Sequence, residues 1–296
     1  MTRRVGLRIA LLVAAAAGLL VGLTAYFSSQ KLPPCLVSDA PKWRPPVGRG
    51  VQRFLVVVPD RALCFFAIDH GHALVGALDL GRKGIDGVST VEPRGGRVAL
   101  RYGAGLGAVV DLADGRVVLG AAPPPPTPIV LRVRRDDVEY STAPGQFGFR
   151  MRLPGTGRVL HVRPEGFTWN PRFGPDPPNH GLALSPDGST LWLLDAPNSA
   201  LHLYDTSPVP AEPPRHVDDL RLSKPLSGDE NPCAHPHCGR LGSLLYSADG
   251  RFLYVGDSGD VYDAQKRERL VNLEALRQTR LMLEVDWVDG RPTFPR

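Results

Sequence analysis

The feature that most constrains this chain is a stretch it uses twice. "LALSPDGSTLWLLDAPNSALHLYDT" begins at Leu182, and "LLYSADGRFLYVGDSGDVYDA" begins at Leu244. In each, a short apolar strand meets a Ser-x-Asp-Gly turn, a second apolar strand ends at an aspartate, and a third ends at another. Ser185-Pro186-Asp187-Gly188 aligns with Ser247-Ala248-Asp249-Gly250, Asp195 with Asp257, and Leu203-Tyr204-Asp205 with Val261-Tyr262-Asp263. Looser copies start at Phe54 and Val88, with Gly95-Gly96 standing in for Asp-Gly in the latter.

The closing aspartates Asp69, Asp111, Asp205 and Asp263 are spaced by 42, 94 and 58 residues. One repeat of four short strands explains the first gap, two repeats the second, and one repeat with an insertion the third. The missing copy falls between Ile129 and Phe167, where "PIVLRVRRDDVEY", "FGFRMRL" and "RVLHVRPEG" read as strands. Strand residues are apolar on both sides, so no copy forms a core alone and each needs a neighbour on either face. The expected fold is all-β, a β-propeller of about five to seven four-stranded blades. Gly 32 and Pro 30 supply the turns, and 43% hydrophobic residues supply a core. The closing "RLMLEVDWVDGRPTFPR" reads as a hairpin turning at Asp289-Gly290 that closes the ring.

These repeats resemble those of the YVTN-type and quinoprotein amine dehydrogenase-like β-propellers, a WD40-like architecture, over residues 51 to 296. That resemblance implies a fold and no particular chemistry, since such propellers include binding proteins, enzymes and scaffolds.

Ahead of the repeats, Ile9 to Phe27 runs for 19 residues without a charge, and Arg3, Arg4 and Arg8 precede it. The length approaches a bilayer core, and the basic flank keeps the N-terminus cytoplasmic and exports the rest. No good small-x-small cleavage site follows, which favours an uncleaved anchor. The expected organisation is an anchor or signal segment over 1–30, a linker over 31–50 and the propeller over 51–296. The location is membrane-anchored with the bulk extracytoplasmic, either periplasmic or at the cell surface. Of the net charge of +5, three units belong to those arginines. The near-neutral remainder gives no electrostatic footprint for nucleic acid.

In an exported chain four cysteines read as disulfides. Cys233 and Cys238 close a short loop, which leaves Cys35 with Cys64. "CAHPHC" could instead hold zinc, but no second Cys pair completes a tetrahedral set. His180, at the head of an innermost strand, could point into the channel mouth, with His235 or His237 at the same rim. The plainer reading of His180 is a histidine bonded to backbone at a strand entrance. These three are the metal candidates, and no cofactor is expected.

"GDSGD" from Gly256 echoes a serine-protease segment, but it is already a blade turn and no triad geometry accompanies it. "YGAGLGAVVD" from Tyr102 lacks the helix and the later acidic residue of a dinucleotide site. No acid, base and nucleophile converge in the pattern, so no catalytic residues are named. The expectation is therefore a tethered binding or assembly module that meets protein or small-molecule ligands on its loop face. The alternative is a propeller enzyme, a metal- or cofactor-dependent oxidoreductase or a lactone hydrolase, with its site at the channel mouth.

Overall fold

The structure, a computed structural model, describes residues 34–36, 41–82, 84–92, 96–102, 106–121, 132–135, 137–142, 147–168, 179–196, 198–224, 243–256, 258–277, 279 and 281–295. The described residues are all-β: among them five antiparallel sheets follow one another along the sequence. The first holds β1 (Val51–Val57), β2 (Ala62–Ala67) and β3 (Ala73–Asp79). The second holds β4 (Ile85–Glu92), β5 (Arg97–Tyr102), β6 (Leu106–Asp111) and β7 (Arg116–Ala121). The third, in the region where the repeat signature is missing, holds β8 (Arg132–Arg135), β9 (Val138–Ser141), β10 (Phe149–Arg152) and β11 (Val159–Val162). The fourth comprises β12 (Asn179–Leu184), β13 (Thr190–Asp195), β14 (Ala200–Asp205) and β15 (Arg215–Arg221). The fifth comprises β16 (Leu244–Tyr246), β17 (Phe252–Val255), β18 (Asp260–Asp263) and β19 (Glu268–Asn272). The last hairpin, β20 (Met282–Val288) and β21 (Arg291–Thr293), returns to the first sheet, whose order is β21-β20-β1-β2-β3.

The Ser-x-Asp-Gly turn recurs because it solves one local problem twice. Ser185 Oγ donates to Asp187 Oδ1 at 2.6 Å and accepts the Thr190 N–H at 3.0 Å. Ser247 Oγ does the same with Asp249 Oδ1 (2.6 Å) and the Phe252 N–H (2.9 Å). The glycines that follow, Gly188 at φ 68° and Gly250 at φ 73°, take the left-handed conformation that turns the chain back.

The apolar runs are explained by burial on both faces. In β13, Leu191 and Leu193 pack toward the third sheet with Tyr140, Phe149 and Met151. Trp192 and Leu194 pack toward the fifth with Leu253, Val255 and Tyr262. In β1, Phe54 and Val56 meet Leu100 and Val110 of the second sheet, while Leu55 and Val57 meet Tyr254 and Val261 of the fifth. The first strands β8, β12 and β16 approach one another in turn.

Before β1, Cys35 and Trp43 pack on opposite faces of the first sheet. Cys35 is joined to Cys64 of β2 by a disulfide, with Cα atoms 5.9 Å apart, in the core facing the fifth sheet. Seven residues on, Lys42 makes a parallel bridge to Ala77. Trp43 then stacks on Phe65 (centroids 3.6 Å, 10° between planes) in the core facing the second sheet. Gly76 permits this approach, because a Cβ there would lie 2.7 Å from the Trp43 backbone. Cys233 and Cys238 lie outside the described residues, as does the apolar stretch from Ile9 to Phe27. Among the described residues no helix is long and apolar enough to cross a membrane.

Candidate functional site

Among the described residues, polar groups interrupt the apolar seams at several places, and two of these centres combine carboxylates with histidines. The first lies on the face of the fourth sheet that packs toward the third. The β14 sequence Ala-Leu-His-Leu-Tyr puts His202 among apolar neighbours, where its side chain is fully buried. Its Nε2 lies 3.1 Å from Asp195 Oδ2, and its Nδ1 lies 2.6 Å from Asp219 Oδ1. Asp195, at the end of β13, is itself fully buried. It accepts the Asn198 backbone N–H on Oδ1 at 3.1 Å and the Asn198 side-chain amide on Oδ2 at 2.7 Å. Two strands over, His216 Nε2 lies 2.8 Å from the same Asp219 oxygen.

Register brings these groups together. Asp219 is paired with His202, and His216 with Tyr204, because the β14–β15 ladder shifts between Leu203 and Tyr204. Three residues apart in a regular strand, His216 and Asp219 would point to opposite faces; the extra residue, Val217, re-aims them to one. The Phe167 ring meets the His202 ring edge-on at 4.6 Å, and the Asn198 side chain ties Thr168 O to the turn at 3.0 Å. Tyr204 lies beside His216, with ring centroids 5.2 Å apart. Its buried hydroxyl has no partner among the described residues, and burial raises its phenol, with the charges of Asp219, Glu165 and Asp195 adding to the effect. Ligating atoms of His202, His216 and Asp219 all lie within 4.8 Å of one another.

The second centre joins the first sheet to the fifth. The Arg53 guanidinium bonds the Asp69 carboxylate, including Nε to Oδ2 at 3.1 Å, and reaches across to Asp249 in the fifth sheet's turn. The Arg53 hydrogen bonds hold the Asp69 carboxyl below the usual range. Burial pulls Asp249 upward, but its bonds to Ser247, Arg53 and the Arg251 N–H outweigh that and leave it lowered. On β20, Glu284 is 6% exposed, accepts the Ala248 N–H at 2.8 Å on one oxygen, and has no partner among the described residues for the other. Burial pushes its carboxyl up to about 7. Behind it, Tyr254 OH and His72 Nε2 are 3.1 Å apart, and burial pushes His72 down to about 4. A groove of about 290 Å³ opens beside Arg53 and Asp69, walled by Trp43, Arg44 and Pro46.

The sequence candidates fall elsewhere. The His180 backbone belongs to β12, its side chain lies outside the described residues, and His235 and His237 are outside them entirely. Asp195 stands out in the sequence only as a repeat marker. His202, His216 and Asp219 are not among the sequence candidates, although a histidine inside an apolar strand is itself a sign that a buried partner exists.

No protein-family model matches the chain, and no curated protein matches it. Among solved structures it is similar to a Bacteroides uniformis protein described provisionally as a 6-phosphogluconolactonase. The two share 13% identity and a TM-score of 0.36 over 75% of this chain and 68% of that one. A likeness of that size carries no argument about chemistry.

Proposed function

We propose that the five sheets are the blades of a five-bladed β-propeller, held outside a membrane by an N-terminal helix and acting as a binding or assembly module. The observation that carries the ring is the composition of the first sheet: β20, from the end of the chain, pairs along the whole length of β1. Buried clusters join the first sheet to the second, the third to the fourth, the fourth to the fifth and the fifth back to the first. The succession β8, β12, β16 of neighbouring first strands is what a common axis requires.

Three features support the tethered reading. Ile9 to Phe27 has the length and basic flank of an anchor. Cys35 and Cys64 form the kind of bond that persists in oxidising compartments. The Cys35–Cys64 bond gives a tether a covalent point of attachment to the first sheet eight residues after Phe27. The groove beside Arg53 and Asp69 is a concave surface suited to a small polar or peptide ligand.

A topology experiment on the full chain in bacterial cells tests this. The expected result is a chain that stays in the membrane fraction after a high-salt wash, is labelled from outside, and has Cys35 and Cys64 oxidised. A chain released into the cytosol with both thiols reduced would overturn the reading. A photo-crosslinker at Gln52, on the groove, should then capture a ligand that the same group at exposed Val118 does not.

A further inference from the structure

We infer that His202, His216 and Asp219 form a binding site for one divalent transition-metal ion of the zinc class, with Asp195 as the carboxylate that orients His202. This stands apart from the ring and the tether, and it is a different place from the channel mouth.

The argument starts from a count of donors. Asp195 is buried and faces three N–H groups or ring nitrogens, so it acts as an acceptor and fixes the proton of His202 on Nε2. Nδ1 of the same ring faces the Asp219 carboxylate, another acceptor, at 2.6 Å. The same oxygen faces His216 Nε2 at 2.8 Å. A cation shared by these atoms satisfies all three: a proton on Nδ1 can do so, and so can a metal ion, which a cobalt titration distinguishes from a proton. An ion bound by Nδ1 of His202, Nε2 of His216 and the Asp219 carboxylate does so while keeping the Nε2–H to Asp195. That is the carboxylate–histidine–metal arrangement in which the outer carboxylate sets the tautomer and the ring orientation.

Geometry permits it with a small adjustment. Tetrahedral zinc with bonds of about 2.0–2.1 Å spaces its ligand atoms about 3.3 Å apart. The Asp219 head group would retreat by roughly 0.5–0.7 Å from its contacts of 2.8 and 2.6 Å, and it has room, because its side chain is 32% exposed. His202 is held from behind by Asp195 and Phe167. Two imidazoles and a carboxylate suit a first-row ion, and three protein ligands leave a coordination position to solvent.

The molecule supplies its own comparison. The first and fifth sheets carry the same ladder shift, between Phe65 and Phe66 and between Val261 and Tyr262. The register puts Cys64, Leu74 and Ala77, or Asp260, Arg269 and Asn272, where the fourth sheet has His202, His216 and Asp219. The bulge therefore belongs to the repeat, and the two histidines and the carboxylate belong to the fourth sheet. An ordinary seam at this position is closed by the Cys35–Cys64 bond or by an Asp260–Asn272 hydrogen bond of 3.0 Å.

The test is titration of the full chain, in detergent and stripped with a chelator, with cobalt(II) followed by competition with zinc. One equivalent should bind with the intense visible absorption of a four-coordinate site, and zinc should abolish it. His216→Ala and Asp219→Ala, both near the rim, should each weaken binding by about 100-fold or more, and Asp195→Asn by about 10–100-fold. The double change His235→Ala, His237→Ala should leave the site unaffected, which separates it from the "CAHPHC" segment. The proposal is overturned if the folded chain takes up no stoichiometric cobalt, or if binding survives both rim substitutions. Should His216→Ala fail to fold, Asp219→Asn, which keeps the side-chain shape, decides the matter by the same readout.

Discussion

The Gly50 backbone N–H donates to the Asp289 carboxylate at 2.9 Å, across 239 residues of chain. In return the Asp289 N–H donates to Gly50 O at 3.1 Å. From this reciprocal pair the β1–β20 ladder runs inward, placing Trp287 opposite Gln52 and Val285 opposite Phe54. The two ends of the repeat region thus share one sheet. β1 gains its second neighbour only when the last hairpin arrives, so folding of the first sheet should be coupled to that of the C-terminal residues in one all-or-none step.

Trp287 is the first consequence. It is 1% exposed and packs edge-on against both Trp43 (5.3 Å) and Phe54 (5.8 Å). Trp287→Ala should cost about 3–5 kcal/mol, read from urea midpoints, and should destabilise the fifth sheet along with the first. A loss confined to local exposure near residue 287, with the global midpoint unchanged, would contradict a shared cooperative unit.

The Trp43–Phe65 stack makes a second prediction. Gly76→Ala places a methyl 2.7 Å from Trp43 Cα and 2.9 Å from its ring, so Trp43 should leave Phe65. Fluorescence should shift to the red, with a stability loss of about 1–3 kcal/mol. Gly120→Ala in β7, where an added Cβ meets nothing within 4 Å, is the matched control and should change neither.

Reduction gives a third. The Cys35–Cys64 bond spans 29 residues, and chain entropy assigns a loop of that size about 3.5 kcal/mol. Cys35→Ser with Cys64→Ser should lower the unfolding free energy by about that amount. Reductant should then have no further effect through this pair.

Dependence on pH is the fourth, and it hides in the native chain. Glu284, pushed up to about 7 by burial, keeps a proton in the folded state that the unfolded chain releases above about 4.5. Its term therefore weakens folding as pH rises from 4.5 through 7. His72, pushed down to about 4, stays neutral when folded while the unfolded chain takes a proton below about 6.5. Its term weakens folding as pH falls from 6.5 toward 4. Each is of the order of 2 kcal/mol after solvent screening, and over the shared window they oppose one another. Glu284→Gln should expose the histidine slope, with stability falling on acidification. His72→Gln should expose the opposite one, with stability falling as pH rises. Urea midpoints at several pH values separate them, and parallel curves for the two variants would refute the assignment.

How much of this the sequence announces depends on whether the signal is local. The turn at Ser185–Gly188 and its copy at Ser247–Gly250 are legible because serine, aspartate and glycine satisfy their own turn within six residues. The third sheet is legible only as strands, since its hairpins use other turns. The sheet-four centre is not legible at all. His202, His216 and Asp219 are scattered over β14 and β15, and they meet through cross-strand register and one bulge at Val217. Glu284 is hidden for a similar reason. In "LMLEVDWV" it reads as the solvent face of an alternating strand. It is buried because the fifth sheet's turn reaches it, with the Ala248 N–H bonded to its carboxylate.

Hydrogen exchange measured by mass spectrometry tests the ring most directly. Amides of Val51–Val57 and Met282–Val288 pair with each other across the proposed closure. Both should exchange as slowly as those of Thr190–Asp195 in the middle of the fourth sheet, and all three should lose protection together as denaturant rises. Fast exchange of Met282–Val288 while Thr190–Asp195 stays protected would mean that the last hairpin is not part of the closed unit.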